Sequence, residues 1–440
     1  MKISSETKSF WTDCLLATVL VFVSMWGILQ ITQFNLFNAF DPIGQALADY
    51  KLTDYAFVNL REDPDVEQRI WIVNIGDQSR RGVAEQIRIL SKAKPKVIGI
   101  DSFFDCRGLP RDTFYCPALK DTLGNLMLAD AIKEAGNVVL VTKLLQRDST
   151  LGPDEYDSLE ISDDIFSRNA YLGFANLNTS AAYQDDAKAC RSFAPYRMVN
   201  GKRELAFSVR MAMLYDSVKA ERLLARNKSW EVINYRGNVL DMHGATNYPT
   251  MFFSLDDEQV LREEFAPEMI KDQIVIMGYM GDDFDDATWE DKFYTPLNKK
   301  MAGKANPDMF GVVVHANALS MILNEDYVDE FTSFQQVAFA FLICFFNVAL
   351  FSLINRRTPV WYDTITLMIQ IGEILVLSFL MIILFAKYSF MMDITLTLAA
   401  VALVGSVYEL YLNVFKKPLG KLISRIRLTR KRQEVLTPQP

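Results

Sequence analysis

Histidine is nearly absent from this chain, with two in 440 residues, His243 and His315. Neither has a paired cysteine motif beside it, so a tetrahedral zinc site lacks its ligand set. The phosphate-cradling G-x-x-x-x-G-K-[ST] and G-x-G-x-x-G patterns are missing too, and GYMG at 278–281 has the wrong spacing. No G-x-S-x-G or comparable frame supplies a nucleophile for His315. Basic charge is scarce where a nucleic-acid footprint would need it: residues 33–331 hold 33 Lys and Arg against 47 Asp and Glu. There are no internal repeats and no low-complexity tract. The expectation is a protein that is no enzyme, carries no metal or cofactor, and binds no nucleic acid.

What the chain does have is long apolar runs. Phe10–Ile31 has one charged residue, Asp13, and three further runs follow at Val337–Ile354, Val360–Phe385 and Met391–Leu412. A helix of about 20 such residues crosses a bilayer core of about 30 Å. Four spans are expected, at 12–32, 334–355, 360–385 and 391–412. The first core is bulky and no A-x-A-like site follows it, so it reads as an anchor rather than a cleaved signal.

Lys and Arg near the spans set orientation. Lys2 and Lys8 precede the first span, Arg356 and Arg357 follow the second, and eight basic residues between Lys416 and Arg432 follow the last. Four crossings put all of these on one side. Residues 1–11 and the basic tail 413–440 are therefore expected in the cytoplasm, and 33–331 outside. The basic tail suits anionic lipid head groups.

Within 33–331, short apolar runs alternate with amphipathic ones. IWIVNI, VIGI, VVLVT, YLGFAN, EVINYRG and IVIMGY read as strands. VAEQIRILSKAK, LMLADAIKEAG, Leu205–Arg226 and VVVHANALSMIL read as helices, with an insertion over about 143–204. The pattern predicts an α/β domain, a mostly parallel sheet with helices on both faces, beside four transmembrane α-helices.

DPDVEQRIWIVNIGDQS, PKVIGIDSFF, INYRG, KDQIVIMGY, FYTP and MFGVVVHANALSMIL follow one another in that order. This succession, one span before the domain and three after it, resembles the CHASE2 family of bacterial extracytoplasmic sensory modules over residues 10–412. The resemblance implies a multi-pass protein of the bacterial cytoplasmic (inner) membrane with a periplasmic sensory domain. In that family the spans usually lead to a cyclase, a kinase or another output domain, whereas here 28 residues follow Leu412. The expectation is a sensor that signals through a separate membrane or cytoplasmic partner and works as a homo-oligomer. A structural or assembly subunit of an envelope complex is the alternative, and an extracytoplasmic enzyme a weaker one.

Candidate residues follow from placement. Parallel sheets bind ligands at the carboxyl ends of their strands, which nominates Asp77, Asp101, Asp282 and Asp283 as ligand contacts. The stretch Met277–Pro296 carries five Asp and one Glu, readable as a solvated loop, a cation site or a partner contact. His315 joins the ligand-contact candidates, with buried packing as its plainer reading. Cys106 and Cys116 flank the polar loop RGLPRDTFY and are candidates for a disulfide in an oxidising compartment, leaving Cys190 over. Glu373, in the third span, is readable as a proton-linked switch or as a carboxyl bonded to a neighbouring helix.

Overall fold

Val, Ile and Met fill the strands without alternation, which suits strands buried on both faces. In the computed structural model Ile70–Asn74 (β1) and Ile274–Gly278 (β8) are buried at every residue, and Val97–Asp101 (β2) at all but the last. The structure describes residues 5–32, 52–62, 64–105, 116, 120–152, 154–178, 189–239, 250–281, 291–298 and 307–418. The remaining strands of the large sheet are Val138–Leu145 (β3), Ser158–Ile161 (β4), Tyr171–Phe174 (β5), Asn238–Val239 (β6) and Thr250–Leu255 (β7). Their order is β6-β7-β1-β8-β2-β3-β4, with β5 also on β3. Every pairing is parallel except β3 with β4.

Helices cover both faces. Arg80–Lys92 (α2) starts on the side chain of Ser79, and Thr122–Ala135 (α3) stops at Gly136, whose φ is +69°. Val83, Ile87, Leu90, Leu128 and Ile132 from these helices form one core with Val73, Ile98, Ile100 and Met277 of the strands. The alternate strand residues face Phe207–Tyr215 (α4) and Gly311–Asn324 (α6). Two glycines permit that approach: a Cβ on Gly173 would lie 2.8 Å from Phe207 Cα, and one on Gly278 2.8 Å from Val312 Cβ.

Three local expectations change. The helix expected over Leu205–Arg226 is two helices, α4 and Ser217–Ala225 (α5), because Asp216 leaves helical geometry and its carboxylate accepts the Lys219 amide at 3.3 Å. EVINYRG is a strand at Glu231–Val232 alone, since the Arg236 and Gly237 amides bond to a side chain instead of a ladder. The segment 143–204 is less an insertion than an extension of the sheet edge. It supplies β4 and β5 and a hairpin of Tyr196–Val199 with Lys202–Leu205.

The chain divides into two units, Gln45–Val328 and Met1–Gly44 with Asp329–Pro440. The second is a helical bundle of Ser5–Thr32 (α1), Ser333–Arg357 (α7), Tyr362–Tyr388 (α8) and Thr395–Leu410 (α9). All four are long and apolar enough to cross a membrane, over Ser9–Ile28, Ser333–Arg357, Pro359–Tyr388 and Thr395–Lys416. The last span therefore begins four residues later than the sequence run. Phe390–Met391 is instead a short strand beside Asp329–Glu330, and Tyr411–Lys416 continues α9 as a π-helical turn. Polar bonds tie the bundle: Tyr411 Oη and Lys416 Nζ donate to Asp13 at 2.9 and 2.6 Å, and Gln370 Nε2 donates to the Val401 carbonyl at 2.6 Å.

Candidate functional site

Three segments far apart in sequence meet at the amino ends of β1 and β6. They are residues 64–69, which lead into β1; residues 233–237, which lead into β6; and α6 from Asn317 onward. Together they line a polar cleft of about 420 Å³.

Glu67 is its centre. Its buried carboxylate accepts from the Arg69 amide, Nε and Nη2 at 3.2, 2.7 and 2.6 Å, and from Ser320 Oγ and Asn324 Nδ2, both at 3.0 Å. Burial pushes this carboxyl up, but the bonds and charge of Arg69 outweigh it and hold the pKa below the usual Glu value. Arg69 also donates to the Leu323 carbonyl at 3.3 Å, and Lys219 Nζ donates to the same oxygen at 2.5 Å. Two cations thus sit where the last carbonyls of α6 carry partial negative charge.

Asn317 joins the second segment to the helix. Its Oδ1 accepts the amides of Arg236 and Gly237 at 3.1 and 3.5 Å, and its Nδ2 donates to the Gly237 carbonyl at 2.9 Å. Asn234 accepts from Arg61 and donates to the Asp326 carbonyl at 3.0 Å, while Arg236 pairs with Asp326 at 2.8 Å. Burial, with Arg236 nearby, lowers the Arg61 pKa to about 10. The lining presents ion pairs and carboxamides, groups that hold and orient a polar molecule, and no histidine or cysteine.

The nominated aspartates lie elsewhere. Asp77 is exposed in a separate acidic recess of about 460 Å³ at the carboxyl ends of β1 and β7, with Asp256, Asp257 and Glu258. Asn74 shapes that recess by donating to the Gly281 carbonyl at 2.9 Å and accepting the Met280 amide at 2.9 Å. Asp101 ends β2 but does not line the recess, so the two are not brought together. Asp282 and Asp283 lie outside the described residues. Among the described residues no group of three or more His, Cys, Asp or Glu is placed to hold a metal ion.

His315 is buried on α6, edge-on to Phe207 with ring centroids 5.4 Å apart. Burial lowers its pKa to about 4, and the residue is not part of the cleft lining. Near the start of the same helix, Asp308 accepts the Thr295 amide at 2.7 Å, Thr295 Oγ1 at 2.5 Å and Asn298 Nδ2 at 3.3 Å. Burial raises its pKa to about 7 against those bonds. Cys116 is disulfide-bonded, Cys14, Cys190 and Cys344 are free, and Cys106 lies outside the described residues. In the bundle, Glu373 Oε2 accepts from Asn347 Nδ2 at 2.6 Å.

Glu67, Arg69, Arg236 and Asn317 were not singled out by sequence reasoning. The available signal was their position inside DPDVEQR, INYRG and VVVHANAL, three of the segments that carry the family resemblance.

The model of the CHASE2 domain family matches residues 18–354. No curated protein and no solved structure matches the chain. The chain belongs to the CHASE2 family, a membrane protein whose α/β unit is an extracytoplasmic sensory module.

Proposed function

We propose that this CHASE2 protein senses a small polar ligand or a protein outside the cytoplasmic membrane and passes the result through its four spans to a separate partner protein. The convergence of three family segments on one cleft supports this reading, since it is the place where they present polar groups together. In this reading the cleft face is periplasmic and both chain ends are cytoplasmic in a bacterial inner membrane. Arg356 and Arg357 in the last turn of α7 and the basic residues after α9 support that orientation. A disulfide-bonded Cys116 in the α/β unit fits an oxidising compartment.

One observation favours the second reading, an assembly subunit of an envelope complex. The side chains of the cleft bond chiefly to one another, as a brace would, with Glu67 alone taking five donors.

The test is affinity capture of the detergent-solubilised full chain, paired with thermal-shift screening of polar metabolites against wild type and Arg236→Gln. A ligand that stabilises wild type and not the variant supports sensing through this cleft. Constant stoichiometric envelope partners, with no stabilising ligand, support the assembly reading. Labelling by a membrane-impermeant thiol reagent of a cysteine placed at Gln433, in intact cells, would overturn the orientation.

A further inference from the structure

Glu373 lies two residues before the midpoint of the 27-residue α8, about 3 Å along its axis, at the depth of the hydrocarbon core. The bond from Asn347 to Oε2 is the one hydrogen bond found to its carboxyl among the described residues. Asn347 is buried, whereas Glu373 is only partly buried and keeps some of its surface uncovered. Water is absent at that depth, so the outer face of this carboxyl must be satisfied by protein.

The helix that carries it is also the span least covered by its own chain, with 11% of its apolar window buried against 28–39% for the other three. Exposed apolar residues alone ask for no partner, because acyl chains cover Leu and Val as well as a helix does. The carboxyl is the group that does. Glu373, Val376 and Leu380 share a face at i, i+3 and i+7, and Met368, Gly372 and Val376 form the ridge beside it. A Cβ on Gly372 would meet nothing within 4 Å. Nothing described in this chain therefore requires a glycine there, whereas close approach of another helix would.

We propose that a second copy of this chain packs against α8, with Glu373 and Gly372 at the crossing. A second copy is the fitting occupant because a carboxyl is self-complementary. In its acid form it offers one donor and retains an acceptor, so two related by a two-fold axis each supply what the other lacks. The inference is independent of whether the cleft senses a ligand or braces a complex.

The experiment is oxidative cross-linking of the full chain in native membrane vesicles, with single cysteines introduced at Met368, Val376 and, as control, the exposed Leu342 of α7. Wild type serves as the blank. Dimers at 368 and 376 but not at 342 are expected, and cross-linking at 342 alone or at none of the three would overturn the proposal. Energy transfer between labelled copies then reads the contribution of each group. Gly372→Leu and Glu373→Leu should each weaken self-association roughly tenfold, while Asn347→Leu should leave it intact. Because Gly372 faces open space in its own chain, the glycine variant should keep the wild-type melting temperature at a dilution where both are monomeric, which separates lost association from lost folding. If Glu373 serves its own chain alone, Glu373→Leu and Asn347→Leu will lower the melting temperature alike and neither will change the transfer signal.

Discussion

Asn317 grips Gly237 across eighty residues of chain: its Nδ2 donates to the Gly237 carbonyl at 2.9 Å while its Oδ1 accepts the Gly237 and Arg236 amides. Those three backbone groups have no sheet ladder to join, so one carboxamide completes their hydrogen bonding. Asn317→Leu keeps the volume and orphans them. With about 1–3 kcal/mol at stake for each buried group left unpaired, the variant should lose roughly 3 kcal/mol. Thermal unfolding of the detergent-solubilised protein measures this, and an unchanged melting temperature would remove Asn317 as the fastener of the second segment.

Glu67→Gln tests the first segment. Breaking a fully buried ion pair costs about 3–5 kcal/mol, but Arg69 keeps 29% of its side chain in solvent, so roughly 1–3 kcal/mol is expected. The sign with pH follows from the lowered folded pKa. The contribution of Glu67 is present above the unfolded Glu value, about 4.3, and is lost as pH falls through the folded value. Wild type and variant should therefore converge on acidification, read as melting temperature against pH.

Asp308 and His315 should give opposite slopes over much of the same window. The raised Asp308 pKa, about 7, means its contribution is full below the unfolded Asp value and lost as pH rises through 7. The lowered His315 pKa, about 4, means its contribution is full above the unfolded His value, about 6.5, and lost as pH falls toward 4. Relative to wild type, Asp308→Asn should gain stability between about pH 4 and 7, and His315→Gln should lose it over the rise from 4 to 6.5. Parallel profiles for the two variants would contradict these assignments.

Gln86 offers a gain rather than a loss. It is fully buried on α2, and neither its Oε1 nor its Nε2 has a hydrogen-bond partner among the described residues. Gln86→Met keeps the shape and removes two desolvated polar atoms, so a gain of about 1–2 kcal/mol is expected. A lower melting temperature would show that the amide is satisfied by a group such as bound water.

Much of the architecture was legible because it is written locally. The runs IWIVN, VIGID and IVIMG are apolar at consecutive positions and too short for a buried helix, which suits a strand covered on both sides, and all three lie in the middle of the sheet. The break at Asp216 was less legible, since apolar spacing runs across it and the cap is a matter of one side chain. The candidate site was the least legible part. The rule that ligands sit at strand carboxyl ends led to Asp77 and Asp101, whereas Glu67, Arg236 and Asn317, from three of the family segments, gather near the amino ends of β1 and β6.

Sequence alone settled that four stretches suit hydrocarbon and that an acidic segment of alternating strands and helices separates the first from the rest. Hydropathy and periodicity sum over neighbours in the chain, so no contact map is needed to read them. Tertiary structure alone decided that Glu67 meets Ser320 and Asn324, that Asn317 meets Gly237, and that Glu373 meets Asn347. The strand order β7-β1-β8-β2 brings residues more than 250 apart within hydrogen-bond reach, and a parallel sheet chooses that order through packing on both its faces rather than through any local signal.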